Sequence, residues 1–210
     1  LEIALFGQTS EDVESELPAG RFGMARETAE FFNAAASEAA ATRTGLGATL
    51  GGRLLKAGAP HADVSLLAQA AAIGVPVTVH VALGTDIVHM HPSADGAALG
   101  DASLRDFRIL ANVLRGINHG GVVVNVGSAV VLPEVLLKCF SLLRNLGHDL
   151  SGCTGINLDF IQQYRSGTQV VRRLELLGGR GLALTGHHEL MVPLLAWAWT
   201  AEVEERRGSE

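Results

Sequence analysis

Hydrophobic and polar positions along this chain follow two different periods. Short β-branched runs bounded by Gly or Pro stand between longer stretches rich in Ala, Leu and Glu. The run 76–81 (Pro-Val-Thr-Val-His-Val) predicts a buried parallel strand, and 121–126 (Gly-Val-Val-Val-Asn-Val) predicts the strongest strand of the chain. Weaker strands are predicted at 152–158 and 181–184. The opening run 1–6 also reads as a buried strand, running into a Gly-Gln-Thr-Ser turn where Ser10 would cap a short helix through Val13. Helices are predicted at 24–41, 64–73, 104–115, 133–146 and 190–201. Pro133 suits a first helical turn, where its fixed φ and missing donor cost nothing. Residues 45–55 are Gly-rich and fit neither period. Residues 84–100 read as a long loop, and 202–210 as a charged, frayed tail.

Strands alternating with helices predict an α/β fold, a parallel sheet covered on both faces. No repeat, low-complexity stretch or linker interrupts the pattern, so residues 1–202 read as one domain, with 203–210 as a tail. Because the first residues already lie inside an element, an N-terminal part of the fold is expected to be missing.

Composition narrows the partners. Hydrophobic residues make up 48% and charged residues 18%, which fits a folded chain rather than a disordered one. Aromatic residues are only 5%, so Ala, Val, Leu and Gly must fill the core. The net charge is −6, and Lys56 and Lys138 are the only lysines, which argues against nucleic acid as the main partner. No apolar run reaches spanning length and no signal-peptide pattern opens the chain, so no membrane partner is expected. Cys139 and Cys153 form no CxxC pair, and a reduced, cytoplasmic setting is the plain reading.

Ligands of open parallel sheets sit beyond the carboxyl ends of the strands. Polar groups beside glycines gather at those places here. Gly127-Ser128 opens a helix, so its amides can face a phosphate, although such a pair also makes an ordinary turn. Asp86 follows Gly84-Thr85 and suits ribose hydroxyls or, equally, an Asx-turn or helix cap. His89 and His91, with His80 nearby, suit a metal or a proton-transferring pocket lining. No HExxH occurs, and no metal is assigned. Thr185-Gly186-His187-His188-Glu189 follows the last strand. Glu134 in a first helical turn gains from the helix dipole and reads as structural. Arg172, Arg173 and Arg180 read as surface salt bridgers by default.

Taken in order, these loops resemble deoxyhypusine synthase. Gly7-Gln8-Thr9-Ser10-Glu11-Asp12 is similar to the family's Gly-rich turn with paired acids, and the match makes Glu11 an NAD ligand. The run 76–86 is similar to the strand that ends in Thr-Asp, which implies Thr85 and Asp86 at the cofactor. The run 121–134 is similar to the Gly-rich strand–helix turn and implies Gly127 and Ser128. The run 182–195 is similar to the last strand and helix and implies Thr185, Gly186 and His187. The similarity runs from about residue 2 to 202, and its weight lies in the shared order. It implies a three-layer, Rossmann-like parallel sheet of the deoxyhypusine synthase NAD/FAD-binding type, with NAD as cofactor. It also implies a homo-oligomer, a tetramer with sites between subunits, to which the apolar helix 190–199 would contribute.

The departures bear on function. The family forms an imine on a lysine shortly before the last strand. Here that stretch is Gln169-Val-Val-Arg-Arg-Leu-Glu175, and Arg cannot supply a neutral amine because its pKa stays above ~12. The family's polyamine-gripping acid falls on His91. The reading that results is an NAD-dependent transferase or oxidoreductase acting on a small molecule by hydride transfer. His89, His91 and His188 are its candidate catalytic residues for moving protons. The alternatives are a non-enzymatic nucleotide-binding or assembly module, a polyamine-modifying synthase resting on Glu11, Asp86 and Asp159, and a metal hydrolase built on His80, Asp86, His89 and His91.

Overall fold

Glycine spacing decides how the first half of the chain packs. Residues 45–55, which fit neither period, form a helix, α3 (Leu46–Lys56), whose buried positions are Leu46, Gly47, Leu50, Gly51 and Leu54. A Cβ at Gly47 would meet the Val77 carbonyl oxygen at 2.2 Å, and one at Gly51 the Leu67 carbonyl oxygen at 2.4 Å. The glycines that weaken the helical pattern are therefore the sites where neighbouring backbone comes closest.

The computed structural model describes residues 1–9, 18 and 26–208. The chain is mixed α/β and divides into two compact units, Leu1–Leu110 and Ala111–Glu210. Among the described residues, no helix is long and apolar enough to cross a membrane.

The first unit contains α1 (Glu2–Phe6), α2 (Arg26–Thr42), α3, α4 (Leu66–Ile73) and, as far as Leu110, α5 (Gly96–Val113). Ala35, Ala36 and Ala39 of α2 pack with Leu46, Leu50, Leu99 and Ala102, and these small side chains let the helices approach closely. The strand expected at 1–6 is instead helix α1, ended by Gly7 at φ 73°. Its Ala4 is buried with Leu54, Ala59 and Ala68. A short apolar run carries no decisive period, and helical packing won here. The loop expected at 84–100 holds a 3-10 turn, Ile87–Met90, and the first turn of α5.

The strand expected at 76–81 is extended, is half-buried over 77–81 and, among the described residues, joins no sheet. Its alternate amides are taken by side chains of α5. Val79 N–H donates to Asp106 Oδ2 at 2.7 Å and Val81 N–H to Ser103 Oγ at 3.0 Å. Side-chain acceptors satisfy on this edge what a ladder would have satisfied. Asp106 has no solvent exposure, and its Oδ2 also accepts from Gly47 N–H at 2.9 Å. One carboxylate thus ties the amino end of α3, where the helix dipole favours an anion, to the extended segment.

The second unit contains β1 (Val122–Val126), α6 (Val131–Asn145), β2 (Thr154–Asp159), α7 (residues 164–176), β3 (Arg180–Thr185) and α8 (His188–Gly208). α7 is α-helical at Tyr164–Ser166, π-helical at Gly167–Arg172 and α-helical again at Arg173–Leu176. The strands pair in parallel in the order β1-β2-β3, with Val124 beside Ile156 and Ile156 beside Leu182. Gly155 and Gly181 bring α7 onto one face of the sheet, where a Cβ at Gly155 would meet the Val170 carbonyl oxygen at 2.1 Å. On the other face Val122, Val124, Leu182 and Leu184 are exposed. The tail expected to fray from 202 continues α8 to Gly208, with Arg206 donating to Glu202 one turn earlier at 2.8 Å.

Replacing Asp106 by Ala should strand the Gly47 and Val79 amides in the core and cost about 2–4 kcal/mol, two unmet buried donors. Asp106→Asn keeps one acceptor oxygen and should cost less. Urea unfolding followed by circular dichroism measures both. An unchanged midpoint for the Ala variant would mean that the carboxylate does not clamp these segments.

Candidate functional site

A chain of side-chain amides crosses the carboxyl edge of the sheet. Asn125 and Asn157 are register partners on β1 and β2, and both are buried. Asn125 Nδ2 donates to Asn157 Oδ1 at 2.7 Å and to the Ser128 carbonyl at 3.0 Å. Asn157 Nδ2 donates to Gln162 Oε1 at 2.7 Å. Gln162 Nε2 then donates to the Leu184 carbonyl and to Thr185 Oγ1 of β3. In a low-dielectric setting these bonds reinforce one another and hold the three strand ends in fixed relation.

The turns on this edge meet around one carbonyl. Leu158 O accepts from Gly127 N–H at 3.0 Å and from His188 Nε2–H at 3.2 Å. That bond places the His188 proton on Nε2 and leaves Nδ1 as the acceptor when the ring is neutral. Gly127 has φ 69°, and a Cβ there would meet His188 Cε1 at 3.0 Å. Gly186 N–H donates to the Asp159 carbonyl at 3.1 Å. The His187 ring lies parallel to Phe160, with centroids 6.3 Å apart, and both are exposed. Asp159 is only 5% exposed, and its Oδ1 accepts from Phe160 N–H at 2.9 Å.

Six expected cofactor and catalytic residues, Gly127, Ser128, Thr185, Gly186, His187 and His188, thus gather on one edge of the second unit. Asn125, Asn157, Phe160 and Gln162 were not singled out by sequence. Their signal was an Asn at the penultimate position of one apolar run and a matching Asn in the next.

The other expected residues belong to the first unit. Asp86 Oδ1 accepts from Val88 N–H at 3.1 Å and caps the turn Ile87–Met90, with His89 completing a capping box. His89 Nδ1 accepts from Gly84 N–H at 3.2 Å and from Asp86 N–H at 3.4 Å. His91 Nδ1 lies 2.8 Å from Ser93 Oγ and accepts from Ser93 N–H. Thr85 Oγ1 donates to the Ala82 carbonyl at 2.7 Å. This loop uses its polar groups to hold its own turn. Glu11 lies outside the described residues.

His80 is set 3.0 Å from Thr78 Oγ1, and burial lowers its pKa against the opposing pull of Asp106. Among the described residues, no three His, Cys, Asp or Glu side chains gather in a set that could hold a metal ion. Burial pushes the Cys139 thiol up to about 11, so it is unreactive at neutral pH.

Glu134 has a larger part than its dipole position suggests. It accepts from Lys138 Nζ at 3.1 Å, Arg165 Nη1 at 2.6 Å and Gln169 Nε2 at 3.1 Å. The Lys138 and Arg165 cations lower its pKa to about 2. Tertiary structure therefore brings Lys138 to the stretch that begins at Gln169, although sequence holds them far apart. The Lys138 ammonium is engaged there in an ion pair.

Gly127→Ala should cost about 1–2 kcal/mol for a side chain at positive φ and should displace His188. Urea unfolding reads the first effect, and the His188 ring proton shifts read the second. A variant that matches the parent in both would show that this turn is not held by its glycine.

Comparison with known proteins gives no match to any family model, any curated sequence or any solved structure.

Proposed function

We propose that the chain is a deoxyhypusine synthase-like protein that binds NAD and acts on a small substrate by hydride transfer. Its cofactor site is the carboxyl edge of the second unit's sheet, on a Rossmann-like arrangement. The observation that carries this reading is Asp159. A buried carboxylate ends β2, one strand from the Gly127 turn that ends β1. In dinucleotide-binding folds the turn after the first strand faces the pyrophosphate, and an acid at the end of the next strand takes the ribose hydroxyls. Asp159 Oδ2 makes no hydrogen bond among the described residues, so an acceptor is open for that purpose.

The rest of the edge suits the same ligand. Gly127 and Ser128 precede α6, whose first amides would meet phosphate oxygens. Exposed Phe160 and His187 offer flat apolar surface to a base. When bound, NAD supplies the hydride acceptor. The protein's part is to orient it and to move a proton, for which His188 Nδ1, left as the acceptor by the Nε2 bond to Leu158, is the candidate atom. His89 and His91 belong to a separate turn and support this role less directly. The expected homo-oligomer is part of the same proposal, and the exposed Leu190, Leu194, Trp197 and Trp199 of α8 favour it.

Calorimetric titration with NAD and NADH tests the cofactor. Saturable heat is expected below about 1 mM, within the range of specific small-ligand binding. Asp159→Asn should weaken binding about tenfold, the loss of a charge-assisted bond. Asp86→Ala should leave affinity unchanged, because its carboxylate caps its own turn in the first unit. No heat with either nucleotide would overturn the assignment. Light scattering of the purified chain tests assembly, and a mass of one chain at all concentrations would remove the oligomer.

A further inference from the structure

The second unit also carries a concave site between two of its helices. A cavity of about 510 Å³ lies between the carboxyl-terminal half of α6 and α7. That volume is ordinary for a small-molecule site. α6 leaves the carboxyl edge of β1 and runs back along the sheet, so its last turns lie toward the opposite edge. The cavity is therefore separate from the Gly127 turn. Leu137, Phe140 and Leu176 supply apolar wall, and Arg144 and Arg173 bring guanidinium groups to it.

Three observations define its chemistry. Neither arginine has a carboxylate within ion-pair distance or a side-chain hydrogen bond among the described residues. The nearby carboxylate, Glu134, is already taken by Lys138 and Arg165. Gln169, 7% exposed, lines the cavity, and its Oε1 is buried without a partner, while its Nε2 is committed to Glu134. Each arginine lies in the last turn of its helix, where the dipole favours a cation. The dipole does not account for two helices bringing their cations to one cavity, nor for the orphaned Gln169 acceptor in its lining. On a chain of net charge −6, two unneutralised arginines on an apolar cavity make a local preference for anions.

We propose that this cavity binds a small organic anion, a carboxylate or phosphate monoester on an apolar body. The guanidinium groups take the anionic head and the Leu137, Phe140 and Leu176 wall takes the body. Arg suits both head groups, because its planar fork matches carboxylate and phosphate oxygens alike. A hydroxyl on the ligand would satisfy Gln169.

Phenyl phosphate, 3-phenylpropionate and benzyl alcohol test this on the full chain, read by methyl shifts of Leu137, Leu176 and Leu177. Saturable shifts are expected with one or both anions at up to about 10 mM, the weak end of specific binding. Which anion binds more tightly distinguishes phosphate from carboxylate ligands. Arg144→Gln and Arg173→Gln, each checked for folding by circular dichroism, should each weaken that anion at least about tenfold. The proposal is overturned if neither anion saturates, if benzyl alcohol binds as tightly, or if both variants keep the parent affinity. The benzyl alcohol comparison decides the matter even where a variant fails to fold.

Discussion

Asp106 sits in the first unit with its carboxylate fully removed from water, and three stretches of chain depend on it. Burial raises its pKa, while the Val79 and Gly47 amides and His80 oppose that rise. A buried charge persists only when it is met, and here the Gly47 and Val79 amides meet Oδ2 while Oδ1 is buried without a hydrogen-bond partner among the described residues. The consequence spreads outward. The amino end of α3 is fixed against α5, and residues 76–81 are drawn out straight along α5. Gly45 has to be glycine for the same reason, since a Cβ there would sit 2.0 Å from Asp106 Oδ1. The loop that follows, with Asp86 and His89, starts from a position this carboxylate sets.

The second unit ties its strand ends with neutral groups. The buried amides of Asn125 and Asn157 are linked through the exposed Gln162 to β3, beside the buried Asp159 carboxylate. Amides carry both donors and acceptors, so a row of them can satisfy itself without a charge. The row locks the strand ends against one another, and the turns that rise from those ends are held with them. The proposed cofactor edge is therefore rigid by construction, while its exposed members, Phe160 and His187, stay available. Rigid backbone under an accessible surface is what a binding edge requires.

The two proposed sites differ in how their polar groups are spent. At the carboxyl edge most groups already have protein partners, and Asp159 Oδ2 and His188 Nδ1 are what remains. At the α6–α7 cavity the cations are unspent and an apolar wall stands beside them. One suits an extended ligand held by shape and a few bonds, and the other suits a compact anion.

Much of the second unit was legible in sequence. The runs at 121–126, 152–158 and 181–184 became the three strands within a residue or two. The first run is carried by β-branched valines and the other two by Leu, Ile and Ala, and a glycine opens each. Parallel pairing followed from the helices between them. The turns after β1 and β3 also lay where strand ends predict a ligand. What sequence did not decide was everything settled by a distant partner. Residues 76–81 had the composition of a strand, yet Asp106 and Ser103 claimed their amides. Residues 1–6 had a strand's apolarity, yet packing against Leu54 and Ala59 made them helical. The Gly-rich stretch 45–55 lacked a clear period because its glycines serve the neighbours rather than the helix. Asp86 could equally bind ribose or cap a turn, and only coordinates revealed the cap. Local pattern fixes which conformations a segment can adopt, and contacts between segments far apart in sequence choose among them.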